Sequence, residues 1–364
     1  MYHIIRSYKK SFFMQLPVRR INMKFDPKEI ENAKIIEGRR TMIEFDSPIT
    51  ARENFRRALK HEQLWMPSAF DKGGVPNEII PDNPARMRGG NDMFGIYWEF
   101  VPRAGGSIVR PGNPTLTDIT KWREVIKFPD VDSWDWAGEV EKERENLKES
   151  KKFVFFTILT GFFERLISFM DFGPAAYTLM NRKVKQDVKD LMDALADLWI
   201  DIVDHVHEYY GDLVDGITLH DDWGAQDGPF FSERVVREMI VPYMRKVTDR
   251  IHELGYVTNL HSCGKVEKLI PCMIEAGFDC WDGMAINDYH MIYELYGDKL
   301  LMNVPANDYP ADADEETKKE WAKRFVEEFA NKDKPAALSY YNDPGFEFDS
   351  EIYRLTREKF ASED

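Results

Sequence analysis

Cysteine is scarce in this chain. Its 364 residues contain three, Cys263, Cys272 and Cys280. They are odd in number and crowded into one short stretch, which excludes a disulfide framework and makes a reducing cytoplasm the expected setting. Long apolar runs are missing too: no stretch reaches the roughly 18 residues a membrane-spanning helix needs, so no membrane partner is expected. No Gly-x-Gly-x-x-Gly or phosphate loop follows an apolar run, which argues against an open, nucleotide-binding doubly wound sheet. Positive charge is in deficit, with a net charge of −15. The purely basic head, residues 1–22, holds Arg6, Lys9, Lys10, Arg19 and Arg20 and no acid. An acidic body is a poor match for a phosphate backbone, so nucleic acid is not an expected partner. The head lacks the apolar core and small-residue cleavage site of a secretory signal. It reads as a mobile basic extension, with Met23 as the functional start.

What is present supports a large core, since 43% of residues are hydrophobic and 13% aromatic. Residues 46–59 read as a capped helix, with Thr50 as N-cap and Glu53 completing a capping box. Residues 65–135 are rich in Pro, Gly, Trp and Asn without periodicity, and Trp98, Trp122, Trp134 and Trp136 there must pack on something larger. We take residues 23–150 as an N-terminal elaboration and 151–364 as the main part of one structural domain. In the latter, apolar runs at 153–159, 215–220, 256–261, 278–282, 299–304 and 335–341 alternate with helix-length sequence, including a long helix over 184–210. Such alternation predicts an α/β fold, a (β/α)8 TIM barrel with one or two strands hard to see.

In a barrel, strand carboxyl ends converge on one mouth. His261 and Cys263 end the run at 256–261, and an i, i+2 pair on a strand faces one side. An imidazole and a thiol at one point are half of a zinc site, or alternatively a base beside an activated thiol. The other strand ends supply Glu164, His220, Asp221, Asp222, Trp223, Asp282, Asn303, Tyr340, Tyr341, Asn342 and Asp343. Asp221, Asp222, Glu164 and Asp282 are the candidate catalytic acids. For Asp221 and Asp222, adjacent residues after a strand are expected to diverge, one into the mouth and one toward backbone donors. Trp98, His220, Trp223, Tyr341 and Asn342 are the candidate substrate contacts, with Trp281 a further aromatic near the mouth. His205, His207, His252 and His290 are read as structural, and Cys272 and Cys280 as buried packing.

Several segments resemble the uroporphyrinogen decarboxylase superfamily. They are Ile-Thr-Ala-Arg-Glu-Asn-Phe-Arg-Arg-Ala-Leu near residue 50, Asp-Met-Phe-Gly-Ile-Tyr-Trp at 92–98, and Asp-Asp-Trp-Gly-Ala-Gln-Asp-Gly at 221–228. Phe231-Ser232, Val241-Pro242-Tyr243, His-Ser-Cys-Gly at 261–264 and the segment 269–279 extend the likeness, which covers roughly residues 46–360. It implies a (β/α)8 barrel with its site at the mouth. Within the superfamily the chain looks most like the corrinoid-dependent methyltransferases of O-demethylase type, whose zinc is held by His-x-Cys and a distant cysteine. His261 and Cys263 match the first two ligands. No cysteine follows Cys280, so the resemblance leaves the third position to an acid such as Glu164 or Asp222, or leaves the site without metal. It further implies a small methylated substrate, an aryl methyl ether or similar, and a corrinoid carried by a partner protein, since no corrinoid-binding motif is visible. A decarboxylase or other lyase acting on a cyclic carboxylate is the alternative; it needs cations to hold carboxylates, and the residues collected at the mouth are acidic.

Overall fold

The computed structural model describes residues 24–36, 42–306, 313–340 and 345–362. The basic head, Tyr341, Asn342 and Asp343 lie outside the described residues. Seven parallel strands form the central sheet: β1 (Lys72–Gly74), β2 (Phe153–Ile158), β3 (Gly216–His220), β4 (Val257–Ser262), β5 (Cys280–Gly283), β6 (Leu301–Pro305) and β7 (Ala336–Ser339). Each pairs with its sequence neighbour, as βα repeats dictate. The sheet curls until its ends meet at one parallel bridge, Ser68 to Leu338, where the Leu338 N–H donates to the Pro67 carbonyl at 2.8 Å. The ladder does not continue across this seam. The fold is therefore a TIM-like curled seven-stranded sheet, and the expected count of eight strands is corrected among the described residues.

The six runs read from sequence are β2 to β7, with ends shifted by two residues at most. The first strand escaped that reading because it is three residues long and reads Lys-Gly-Gly; it comes from the segment set aside as elaboration. Helices wrap the sheet. The long one, Lys185–Tyr210, turns Val188, Leu191, Leu195, Trp199, Ile202 and Val206 inward at helical spacing. No helix of the described residues is long and apolar enough to cross a membrane.

The amino end of the barrel is stoppered. Helix α1 (Ala51–Ala58) places Phe55 and Ala58 against Phe153, Phe155, Cys280, Leu301 and Ala337. Arg52 and Arg56 of α1 pair with Asp215 at 2.8 and 2.5 Å. Thr50 accepts the Glu53 N–H at 3.2 Å as the N-cap. Only that half of the expected capping box is found, because the Glu53 carboxylate pairs with Arg57 instead. Trp122 and Trp136 are buried, as their apolar surface requires.

Candidate active site at the carboxyl end of the barrel

Strand register assembles the site. His220 on β3 lies opposite His261 on β4, which in turn is level with Asp282 on β5. The two imidazoles stack with centroids 4.6 Å apart. His261 Nε2 is 3.4 Å from Cys263 Sγ, so the i, i+2 pair converges on one point. Asp222 joins them: His220, Asp222 and His261 each offer a ligand atom, all within 4.8 Å of one another. Asp222 Oδ1 also accepts the Cys263 N–H at 2.7 Å, which fixes the two loops against each other. Gly264, at φ +91°, is required where these loops cross, since a Cβ there would strike the Gly224 backbone.

Behind this group stands a charged ladder. Glu164 opens helix α3 (Phe162–Met170), accepts from His220 Nδ1 at 2.8 Å and pairs with Arg86 at 2.8 Å. Arg86 comes from helix α2 (Asp82–Arg88), and its guanidinium lies 5.3 Å over the Trp98 ring. Burial pushes the Glu164 carboxyl up, but Arg86 and His220 outweigh it and hold it below its usual range. Burial pulls His220 down while the Glu164 charge more than reverses this, leaving His220 above its ordinary value. Burial, then the neighbouring His220, lowers His261. Burial and the Asp222 carboxylate push the Cys263 thiol up to about 12.

Asp221 and Asp222 diverge. Asp221 is fully buried and accepts the Phe163 and Glu164 N–H groups at 3.1 and 2.9 Å and Trp223 Nε1 at 2.9 Å. It satisfies donors at the start of α3, which have no partner within the helix. Gly161 permits that approach, because a Cβ there would collide with Asp221 and the His220 carbonyl. Burial, with Glu164 nearby, raises Asp221 to about 7. Asp221 thus faces backbone and indole donors rather than the cavity, and Asp222 is the neighbour that turns to the histidines. Trp223 and Trp281 are fully buried, and Trp98 nearly so with Nε1 bonded to Asp92 at 3.0 Å. These indoles pack within the protein and are not among the residues that line the cavity.

A cavity of about 410 Å³ runs from the two histidines to Lys72, Asp282 and Asn303, with Phe155, Ala69, Gly73 and Gly74 as its apolar walls. Lys72 Nζ meets Asp282 Oδ1 at 2.5 Å. Sequence reasoning missed Lys72 and Arg86, the cations facing the acids, because both lie in the aperiodic segment. It also missed Asn259 and Thr218, which line the same cavity. These two were findable, since each precedes a selected histidine by two residues and shares its face. Asp92 and Asp82 grip the buried Arg165, with Asp92 Oδ2 at 2.6 Å from it, and so lock α2 and Arg86 onto α3. His252 pairs with Asp279 and His290 with Glu328; His205 lies beside Asp132 and Asp201, and His207 beside Tyr256. Cys272 and Cys280 are buried.

The uroporphyrinogen decarboxylase (URO-D) family model matches residues 165–290, the span from Arg165 past β5, bearing out the resemblance read in the sequence. No curated protein matches the chain significantly. Among solved structures, a methyltransferase from Methanosarcina mazei superposes with a TM-score of 0.58 at 14% identity, covering 86% of this chain and 99% of that one. At such identity the likeness is one of fold. A Bacillus subtilis protein described as a sporulation-specific glycosylase reaches a TM-score of 0.25 at 13% identity over 53% of this chain and 61% of that one, too low to carry any argument.

Proposed function

We propose that this chain is a methyltransferase that moves a methyl group from a small methylated substrate, an aryl methyl ether or similar, to a corrinoid carried by a partner protein. The carrying observation is the cluster of His220, Asp222 and His261 with Cys263 beside it, whose two histidines line the mouth end of a cavity sized for one small molecule. Its nitrogen, oxygen and sulfur donors are those zinc takes. His220 passes a further test: its Nδ1 faces a carboxylate, leaving Nε2 outward, the carboxylate–histidine arrangement that orients metal ligands. His261, Asp222 and Cys263, with His220 as the fourth donor, would hold the ion, and Asp222 takes the place of the distant cysteine. Bound zinc would supply a Lewis acid that stabilises negative charge on the heteroatom losing its methyl group.

The protein's own contribution is placement. Glu164 and Arg86 hold the His220 ring, the Asp222 bond to the Cys263 N–H sets the loop, and Phe155 with Ala69 excludes water from one wall. The carboxy-lyase reading gains two cations it previously lacked. Both are neutralised, however, Arg86 by Glu164 and Lys72 by Asp282, so the cavity has no surplus of positive charge for a polycarboxylate.

The test mixes the purified chain with zinc, reduced cobalamin and a panel of methylated phenols, amines and thiols, and follows methylcobalamin by absorbance. Conversion with one donor class, lost in His261→Ala, is the expected result. No conversion with any donor, together with carbon dioxide release from a cyclic carboxylate, overturns the proposal.

A further inference from the structure

Beyond the histidines, the cavity holds a set of groups that methyl transfer at the mouth does not use. Barrel interiors are ordinarily filled by branched aliphatic side chains, yet here Lys72, Thr218, Asn259, Asp282 and Asn303 line it. Thr218 and Asn259 precede His220 and His261 by two residues, so they sit one dyad deeper, roughly 6.6 Å along the strand. Lys72 Nζ reaches Asp282 Oδ1 at 2.5 Å and Asn303 Oδ1 at 3.2 Å. The Asp282 carboxylate also accepts from Asn303 Nδ2 at 2.5 Å and Asn259 Nδ2 at 3.0 Å. Asn259 Nδ2 lies 3.1 Å from Thr218 Oγ1 as well. The acid is therefore held by three donors. The ammonium carries three N–H groups and meets two acceptors here, so one N–H remains for whatever fills the cavity. A half-buried ion pair is seldom more stabilising than apolar side chains of the same volume. Stability therefore does not account for this layer.

We propose that the Lys72–Asp282 floor is a second recognition point for the substrate. It takes an oxygen acceptor on a small aromatic ring whose methylated heteroatom lies at the histidine end. Which end carries the methyl group rests on the methyltransferase reading; the oxygen subsite itself does not. Although the Asp282 and His261 backbones are level, the Asp282 carboxylate is held by Asn259, one dyad below His261. An oxygen bound there stands apart from a heteroatom at the histidines, which favours substituents across the ring from each other over neighbouring ones. Asp282 neutralises Lys72, so the ligand is neutral or singly charged. A phenol oxygen and a carboxylate both offer the required acceptor.

Titration calorimetry on the full, metal-free chain separates these cases with methoxybenzene, 2-methoxyphenol, 4-methoxyphenol and 4-methoxybenzoate. At least one para-oxygenated probe should bind tenfold or more tightly than methoxybenzene and 2-methoxyphenol; which one does so identifies the oxygen function. The Lys72→Met/Asp282→Asn double variant should lose that advantage while binding methoxybenzene as the wild type does. The double change is used because removing Lys72 alone would leave the half-buried Asp282 carboxylate without its cation. Lys72→Arg, which keeps the charge and moves the donors, should weaken the para probe severalfold and serves if the double variant does not fold. Equal affinity for all four probes, or a para preference that survives both variants, overturns the inference. A para preference without methyl transfer overturns the proposed function and leaves this inference standing.

Discussion

At the amino ends of its strands the barrel interior holds Phe153, Phe155, Cys280, Leu301 and Ala337, stoppered by Phe55 and Ala58. At the carboxyl ends β3 to β6 present His220, His261, Asp282 and Asn303 to the cavity. Strands β5 and β6 carry both: Cys280 and Asp282 lie one dyad apart, as do Leu301 and Asn303. One end removes apolar surface from water and holds the fold; the other keeps titratable groups half-buried, where they cost stability and have to be held by partners. The comparison separates residues whose loss should unfold the protein from those whose loss should silence it.

The sharpest way to test that separation is His261→Ala. We expect zinc content and methyl transfer to fall on the order of 100-fold or more, beyond the 10–100-fold typical of outer-shell changes, with a thermal midpoint close to wild type. Metal retained at full stoichiometry would break the contrast. At the stopper, Phe153→Ala should cost about 3–5 kcal/mol in urea unfolding through lost burial and a cavity, while the folded fraction binds zinc normally. Arg165→Met should cost as much at the other end, where Asp82 and Asp92 would be left buried without their cation, at about 3–5 kcal/mol.

The middle of the scale lies where the two regions touch. Glu164→Gln keeps a hydrogen-bond acceptor but removes the charge facing His220, and should weaken zinc binding by about 10–100-fold in a competition titration with a chelator. Asp221→Asn and Asp222→Asn should part company. The first removes one carboxylate oxygen from three donors and should cost about 1–3 kcal/mol; the second should leave the melting curve nearly unchanged and abolish turnover. Equal effects on stability and activity in both variants would erase the distinction between neighbours.

That distinction also marks how far the sequence could be read. Strands β2 to β7 were legible because each is a short apolar run ending in polar residues, and His261 with Cys263 because strand parity is a local property. The divergence of Asp221 and Asp222 was legible, but which acid turns inward depends on where α3 begins, a tertiary fact. Lys72 and Arg86 were invisible for a different reason. They sit in a two-glycine strand and a seven-residue helix, where no period survives, and only the fold brings them to Asp282 and Glu164. Trp98 and Trp223 drew notice as indoles beside a functional motif, and only the fold shows that their N–H groups are bonded to Asp92 and Asp221.

The smallest expected effect lies at the stopper's edge. Thr50 caps α1 through one bond to the Glu53 N–H, and the return bond of a full capping box is replaced by the Glu53–Arg57 pair. Thr50→Ala therefore removes a single cap, costing about 1 kcal/mol. Because α1 carries Phe55 and Ala58 into the amino end of the barrel, the loss should appear as faster amide exchange along α1 and in β2, whose Phe153 and Phe155 pack on it. The exchange of β3 and β4 near His220 and His261 should stay at wild-type rates, and so should zinc affinity. Hydrogen-exchange mass spectrometry resolves the two ends in one experiment. Accelerated exchange spreading equally to the histidine layer would mean that stopper and site open together, and that the division between the two ends of the barrel is one of composition alone.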